Sequence, residues 1–103
     1  MIVEYIRYQL KSHTADELAE AYGVAARYLA GSPHCLSYEL SRCHEDASSV
    51  TLRIEWDSLD GHVQGFRKSA EFQPFLRAIR PFFAEIAEMR HYEPTAIVWR
   101  RPT

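Results

Sequence analysis

This sequence predicts an α+β fold: one four-stranded antiparallel sheet with its helices on one face. Three observations predict it. Apolar and polar residues alternate with period two in four stretches, Ile2–Leu10, Cys35–His44, Ser49–Asp57 and Met89–Arg100. Between them helical spacing takes over, at 15–30 and again from about 59 to 79. The resulting order, β-α-β-β-α-α-β, is that of a ferredoxin-like sandwich.

The first strand sets Ile2, Ile6, Tyr8 and Leu10 on one side and Val3, Tyr5, Arg7 and Gln9 on the other. Thr14-Ala15-Asp16-Glu17 is a capping box: a hydroxyl for a free backbone N–H, and a glutamate three residues on that reaches back. Leu18, Tyr22, Ala25 and Leu29 follow at helical spacing, which predicts a helix over Ala15–Ala30, stopped by Gly31 and Pro33. Gly23 costs it about 1 kcal/mol relative to alanine, which a close approach to the sheet would explain. The second strand sets Leu36, Tyr38 and Leu40 against Ser37, Glu39 and Ser41, and 45–48 is a hairpin loop. The third puts Val50, Leu52, Ile54 and Trp56 on one face. Ser58 then offers a hydroxyl to the start of a short helix over about Leu59–Lys68, weakened by Gly61 and Gly65. Phe72, Phe75, Leu76 and Ile79 make a further helix. Pro74 fits only its first turn, so it starts near Glu71 or later. Arg80 precedes Pro81, so a break is expected there, then a short turn through 82–86. The last strand runs from Met89 to Arg100 with Pro94 at an edge or bulge.

At 103 residues the chain is expected to be one domain, 1–103. A net charge of -2 gives no electrostatic case for nucleic acid or an anionic membrane. No apolar run approaches the roughly 20 residues of a membrane span. The N-terminus alternates at once, without a basic start or apolar leader, so a cytoplasmic location is expected. Cys35 and Cys43 lie on one strand, about 26 Å apart at strand rise, too far for a disulfide. There is no CxxC or tight Cys/His spacing, so no metal is expected. The aromatic share, 13%, suggests a bulky-walled interior, an oligomer interface, or both. Val3, Tyr5, Arg7, Ser37, Glu39, Arg53 and Glu55 alternate onto the face without helices. That mixed aromatic and polar face argues for a homodimer that covers sheet with sheet.

Several residues are candidates for chemistry. Trp56, at the end of its strand, reads as a ring-stacking pocket wall or as core. His62 reads as a base or polar anchor, or as a solvated helix histidine. Phe66 and Phe72 read as core first and ligand contacts second. His91 and Tyr92 fall on opposite faces of the last strand, so only one of them can face the helices. Tyr92 is taken as the phenol donor into the pocket, with an interface role as its alternative; His91 is taken as interface or surface. Arg53 is expected to make a dimer-interface ion pair with Glu39 or Glu55. Arg67, with the other arginines, reads as part of a solvated face.

The element order and the stretch Glu55-Trp56-Asp57-Ser58-Leu59-Asp60-Gly61-His62, through Ser69-Ala70-Glu71-Phe72, resemble the antibiotic biosynthesis monooxygenase family. Phe72–Ile79 and the return Glu88–Tyr92 also suit it. Members are small dimeric α+β barrel proteins. Their usual pattern is an aromatic ending strand three, then a helix with a histidine, a serine three on and a phenylalanine six on. Trp56, Ser69 and Phe72 are in register; the histidine position holds Phe66, and the nearest imidazole is His62, one turn earlier. The resemblance implies a pocket between sheet and helices and a monooxygenase that oxidises a quinol or polycyclic phenol without metal or flavin. His62 and Tyr92 would then be catalytic, and Trp56, Phe66 and Phe72 would bind the substrate. A non-catalytic dimer that binds a small apolar ligand or partner is the alternative, and a haem-binding branch of the fold is a third, through His62.

Overall fold

A computed structural model describes residues 1–103. The elements are β1 (Ile2–Gln9), α1 (Ala15–Ala30), β2 (Cys35–Arg42), β3 (Ser49–Trp56), α2 (Phe72–Ile79) and β4 (Ile86–Tyr92). Between β3 and α2 the chain winds through a wide π-helical turn, Gly61–Gly65, and a tight 3₁₀ turn, Phe66–Lys68; a second 3₁₀ turn, Arg80–Glu85, leads into β4. The strands form one antiparallel sheet in the order β2-β3-β1-β4. This is the expected ferredoxin-like α+β arrangement. Within one chain the sheet has two free edges, β2 and β4, and does not close into a barrel.

The register puts the even-numbered residues of β1 and β3 on the helix side: Glu4 lies opposite Ile54, Ile6 opposite Leu52, Tyr8 opposite Val50. Against them α1 lays Leu18, Tyr22, Ala25 and Leu29, all buried. The helix starts where its capping box places it. Thr14 Oγ1 accepts from the Glu17 N–H at 3.1 Å, and the Glu17 carboxylate accepts from the Thr14 N–H at 2.8 Å. Tyr8 and Tyr22 join hydroxyls at 2.5 Å inside the core. Burial pushes Tyr8 up to about 12 and Tyr22 well above its ordinary value, so the pair is neutral and one hydroxyl donates to the other. Both cysteines are free. No helix is long and apolar enough to cross a membrane.

Several expectations are corrected. Gly23 serves no close approach, because a Cβ there would meet nothing within 4 Å. Leu36 does not face the helices: the pairing of β2 with β3 shifts between Cys35 and Ser37, Cys35 takes the place opposite Trp56, and Leu36 is left exposed. The last strand begins at Ile86 and stops at Tyr92 rather than running to Arg100. Pro94 has no N–H to give a ladder, and Ile97, Val98 and Trp99 beyond it are 94%, 78% and 71% exposed. The helix after Ser58 is not regular, although Ser58 Oγ does accept from the Gly61 N–H at 2.8 Å. A Cβ on Gly61 would overlap the Asp57 carboxylate and one on Gly65 would overlap the His34 ring. His34 and Asp57 hydrogen-bond at 2.9 Å and lie against the turn, so these glycines let that pair close over it.

Candidate functional site

β3 ends on Trp56, which is fully buried, and three other elements meet around its indole. From β1 comes Glu4, an acid at an inward position of the strand. Trp56 Nε1–H donates to Glu4 Oε1 at 3.1 Å. The wide turn after β3 lays His62 flat on the indole, ring centroids 4.3 Å apart and planes 11° apart. From β4 comes His91, opposite Glu4 in the sheet. His62 Nδ1 and His91 Nε2 hydrogen-bond at 2.8 Å. Glu4 Oε1 lies 3.5 Å from His62 Nε2, and Glu4 Oε2 lies 3.9 Å from His91 Nε2. One donor atom from each of Glu4, His62 and His91 lies within 4.8 Å of the others.

Beside this cluster is a cavity of about 740 Å³ between the sheet and α2. Ile6, Ile54, Phe66, Phe72, Phe75 and Met89 form much of its apolar wall, Glu4 and His62 form a polar corner, and Arg67 brings a positive charge. Phe66 packs on Trp56 at 5.2 Å and meets the edge of Phe72 at 5.5 Å.

Burial pushes the Glu4 carboxyl up, opposed by the Trp56 hydrogen bond and the Arg67 charge. Burial, reinforced by Arg67 and then His91, holds His62 down at about 3. Burial and Arg67 lower His91 as well. Two neutral imidazoles therefore share an N–H···N bond, one donating and one accepting. The cluster can exchange a proton internally and can present nitrogen lone pairs, but it does not hold a resident imidazolium.

Of the residues singled out in the sequence, Trp56, His62, Phe66 and Phe72 all line the cavity. Tyr92 does not. It pairs with Val3 on the opposite face of the sheet, is 46% exposed, and sits edge-on to Tyr5 at 5.5 Å. Alternation allows only one of the two neighbours inward, and that one is His91. Arg53 pairs with Glu55 at 3.0 Å, one of its two expected partners. Glu4 and Arg67 were passed over. Glu4 had a readable signal, an acid at the inward parity of Ile2, Ile6 and Tyr8. Arg67 is exposed as expected, yet it also lines the cavity.

The sequence profile of the antibiotic biosynthesis monooxygenases matches residues 1–78. Among curated proteins the chain is 27% identical over 93 residues to the uncharacterised protein YczJ of Bacillus subtilis, a match covering 90% of this chain and 98% of that one. Among solved structures it is similar to a Bordetella bronchiseptica protein described as a candidate antibiotic biosynthesis monooxygenase, with a TM-score of 0.79 and 23% identity over 91% of this chain and 96% of the other. It is also similar to a variant of SnoaB, a cofactor-independent oxygenase of Streptomyces nogalater, with a TM-score of 0.68 and 17% identity over 95% and 94% of the two chains. Identities this low establish the shared fold.

Proposed function

Because the chain belongs to the antibiotic biosynthesis monooxygenase family, we propose that it is a cofactor-independent monooxygenase of quinols or anthrone-like polycyclic phenols. The observation that carries this reading is the cavity, whose aromatic and aliphatic walls surround one polar corner. A phenolate gives electrons to O₂ far more readily than a phenol does. The protein's task is to bind a flat ring, favour its ionised form and keep water away from reactive intermediates. Phe66 and Phe72 supply flat apolar surface, Arg67 supplies a charge that favours a phenolate, and the Glu4 carboxylate, made more basic by burial, supplies an acceptor for its proton. Trp56 holds the corner in shape through its contacts with Glu4 and His62. With an anthrone-like ring, the ring CH₂ and O₂ become a carbonyl and water: one oxygen atom enters the product and the other leaves with the two hydrogens.

A second copy of the chain is part of the same reading. It would cover the outer face around Tyr5 and Tyr92, which gives Tyr92 an interface role in place of the catalytic one; Val3, on the same face, is already buried within the chain. A monomeric mass by light scattering at micromolar concentration would remove the dimer.

Oxygen uptake by EDTA-treated protein tests the activity, with a panel of quinols and anthrone-like phenols and the wild type beside Arg67→Gln. Uptake above autoxidation that falls at least tenfold in the variant is the expected result. A second reading, a non-catalytic binding module, is favoured by one observation: the family's histidine position holds Phe66, buried against Trp56. Quenching of Trp fluorescence by ring compounds, with no uptake from any of them, would establish that reading instead.

A further inference from the structure

We propose that Glu4, His62 and His91 form a site for one divalent first-row cation, of the Zn²⁺ or Co²⁺ kind, at the polar corner of the cavity. Binding needs no turnover, so this inference stands apart from the oxygenase reading.

The geometry points to it from several sides. The three donors come from three separate elements, β1, the turn after β3, and β4, yet converge within 4.8 Å. At a metal–nitrogen length of about 2.1 Å, two tetrahedral ligands sit about 3.4 Å apart; His62 Nδ1 and His91 Nε2 are 2.8 Å apart, so the two rings would move slightly apart to admit an ion. An ion would take the place of the proton they share. His62 would then carry its proton on Nε2, the nitrogen that faces Glu4 Oε1 at 3.5 Å. The remaining carboxylate oxygen, Glu4 Oε2, lies 3.9 Å from His91 Nε2.

The surroundings resemble the support a metal site needs. The Trp56 N–H holds Glu4 Oε1 and fixes the carboxylate, as an outer hydrogen bond orients a ligand, and the stacked indole locks the His62 ring. Two imidazoles and one carboxylate, with further positions open, is a donor set that suits Zn²⁺, Co²⁺ or Fe²⁺. Glu4 and His62 both line the cavity, so the open positions would face the space where a water or an anionic ligand oxygen could complete the shell. A cation would also give the buried Glu4 carboxylate a counter-charge in contact, which two neutral rings do not. The opposing influence is Arg67, whose charge lies on the same cavity.

The test uses untagged protein stripped with EDTA, titrated with Co²⁺ and followed by visible absorption and Trp fluorescence, and with Zn²⁺ by calorimetry. The expected result is one ion per chain, with Trp56 emission quenched by Co²⁺. Glu4→Gln keeps the shape of its side chain, and His91→Ala removes a ring that is already partly exposed. Circular dichroism confirms that each variant is folded. Each variant should weaken binding at least tenfold. No saturable binding at micromolar ion would overturn the site. So would unchanged affinity in both folded variants, which would place the ion on another histidine. Neither readout depends on oxygen uptake, so the site and the activity can fail separately.

Discussion

Two helical layers lie on one face of the same sheet, and they cover it differently. Helix α1 is a regular 16-residue element with one apolar stripe. It seats on β1 and β3 so closely that Leu18, Ala25 and Leu29 have no exposed surface. Its buried polar meeting with the sheet, Tyr8 with Tyr22, is closed on itself, and its other, Asp16 with Arg42 of β2, is an exposed ion pair. The stretch from Ser58 to Glu85 is broken into a π-helical turn, a 3₁₀ turn, the short α2 and another 3₁₀ turn. A path of such mixed pitch cannot lay a continuous stripe on the sheet. It leaves the cavity and sets His62 beside it, against Glu4 of β1 and His91 of β4. The regular layer carries much of the closed core, and the irregular one carries the chemistry.

The largest expected effect sets a core position against a cavity wall. Leu18→Ala should cost about 2–5 kcal/mol in urea unfolding, because nothing can collapse into the gap under α1. Phe72→Ala removes a half-buried ring from the wall of an existing cavity and should cost less than half as much. Equal losses would mean that the broken layer is packed as tightly as α1. The next contrast is between glycines. Gly65→Ala forces the His34 ring away from the turn and should cost about 1–3 kcal/mol; adding His34→Ala should return part of that loss, a non-additivity that places the conflict between these two residues. Gly23→Ala enters open space on α1 and should stabilise by about 0.5–1 kcal/mol.

The same contrast governs what could be read from the sequence. Where structure is regular, local rules and tertiary structure agree: Thr14 and Glu17 start α1, Leu18 to Leu29 bury its stripe, and strand alternation fixes the faces of β1 and β3. The broken layer follows from contacts that no local pattern carries. Gly61 and Gly65 read as weak helix, but they accommodate His34 and Asp57, of which His34 is far away in sequence. On β4, alternation separated His91 from Tyr92 without saying which turned inward, and the inward partner depends on the register with β1, which shifts between Arg7 and Tyr8. Glu4 was legible by parity alone, since an acid among Ile2, Ile6 and Tyr8 has to be buried or the strand has to slip. Ile97, Val98 and Trp99 have strong strand propensity, but beyond Pro94 they have no ladder in this chain to join.

The smallest expected effect tests whether the two layers act independently, and it rests on Glu85. This residue ends the broken layer, and its carboxylate reaches the residues just ahead of α1. Oε1 accepts from the Lys11 and Ser12 N–H groups at 2.6 and 2.7 Å, and Oε2 accepts from His13 Nδ1 at 2.5 Å. The Lys11 amide first, then the His13 ring, hold Glu85 down at about 2, against an ordinary value of 4.5. A carboxyl depressed by folding contributes stability that is complete above its unfolded value and is lost as pH falls through the folded one. The urea midpoint of the wild type should therefore fall more steeply than that of Glu85→Gln between about pH 4.5 and pH 2, and the two curves should close together at the acid end. Asp46, Glu55 and Asp57 are also held below their ordinary values, but they titrate in both proteins and cancel in the difference. A gap that stays constant across that window would mean that the charge of Glu85 does not fasten the broken layer to the start of α1. In that case α1 should keep its hydrogen-exchange protection when the stretch from Ser58 to Glu85 opens locally.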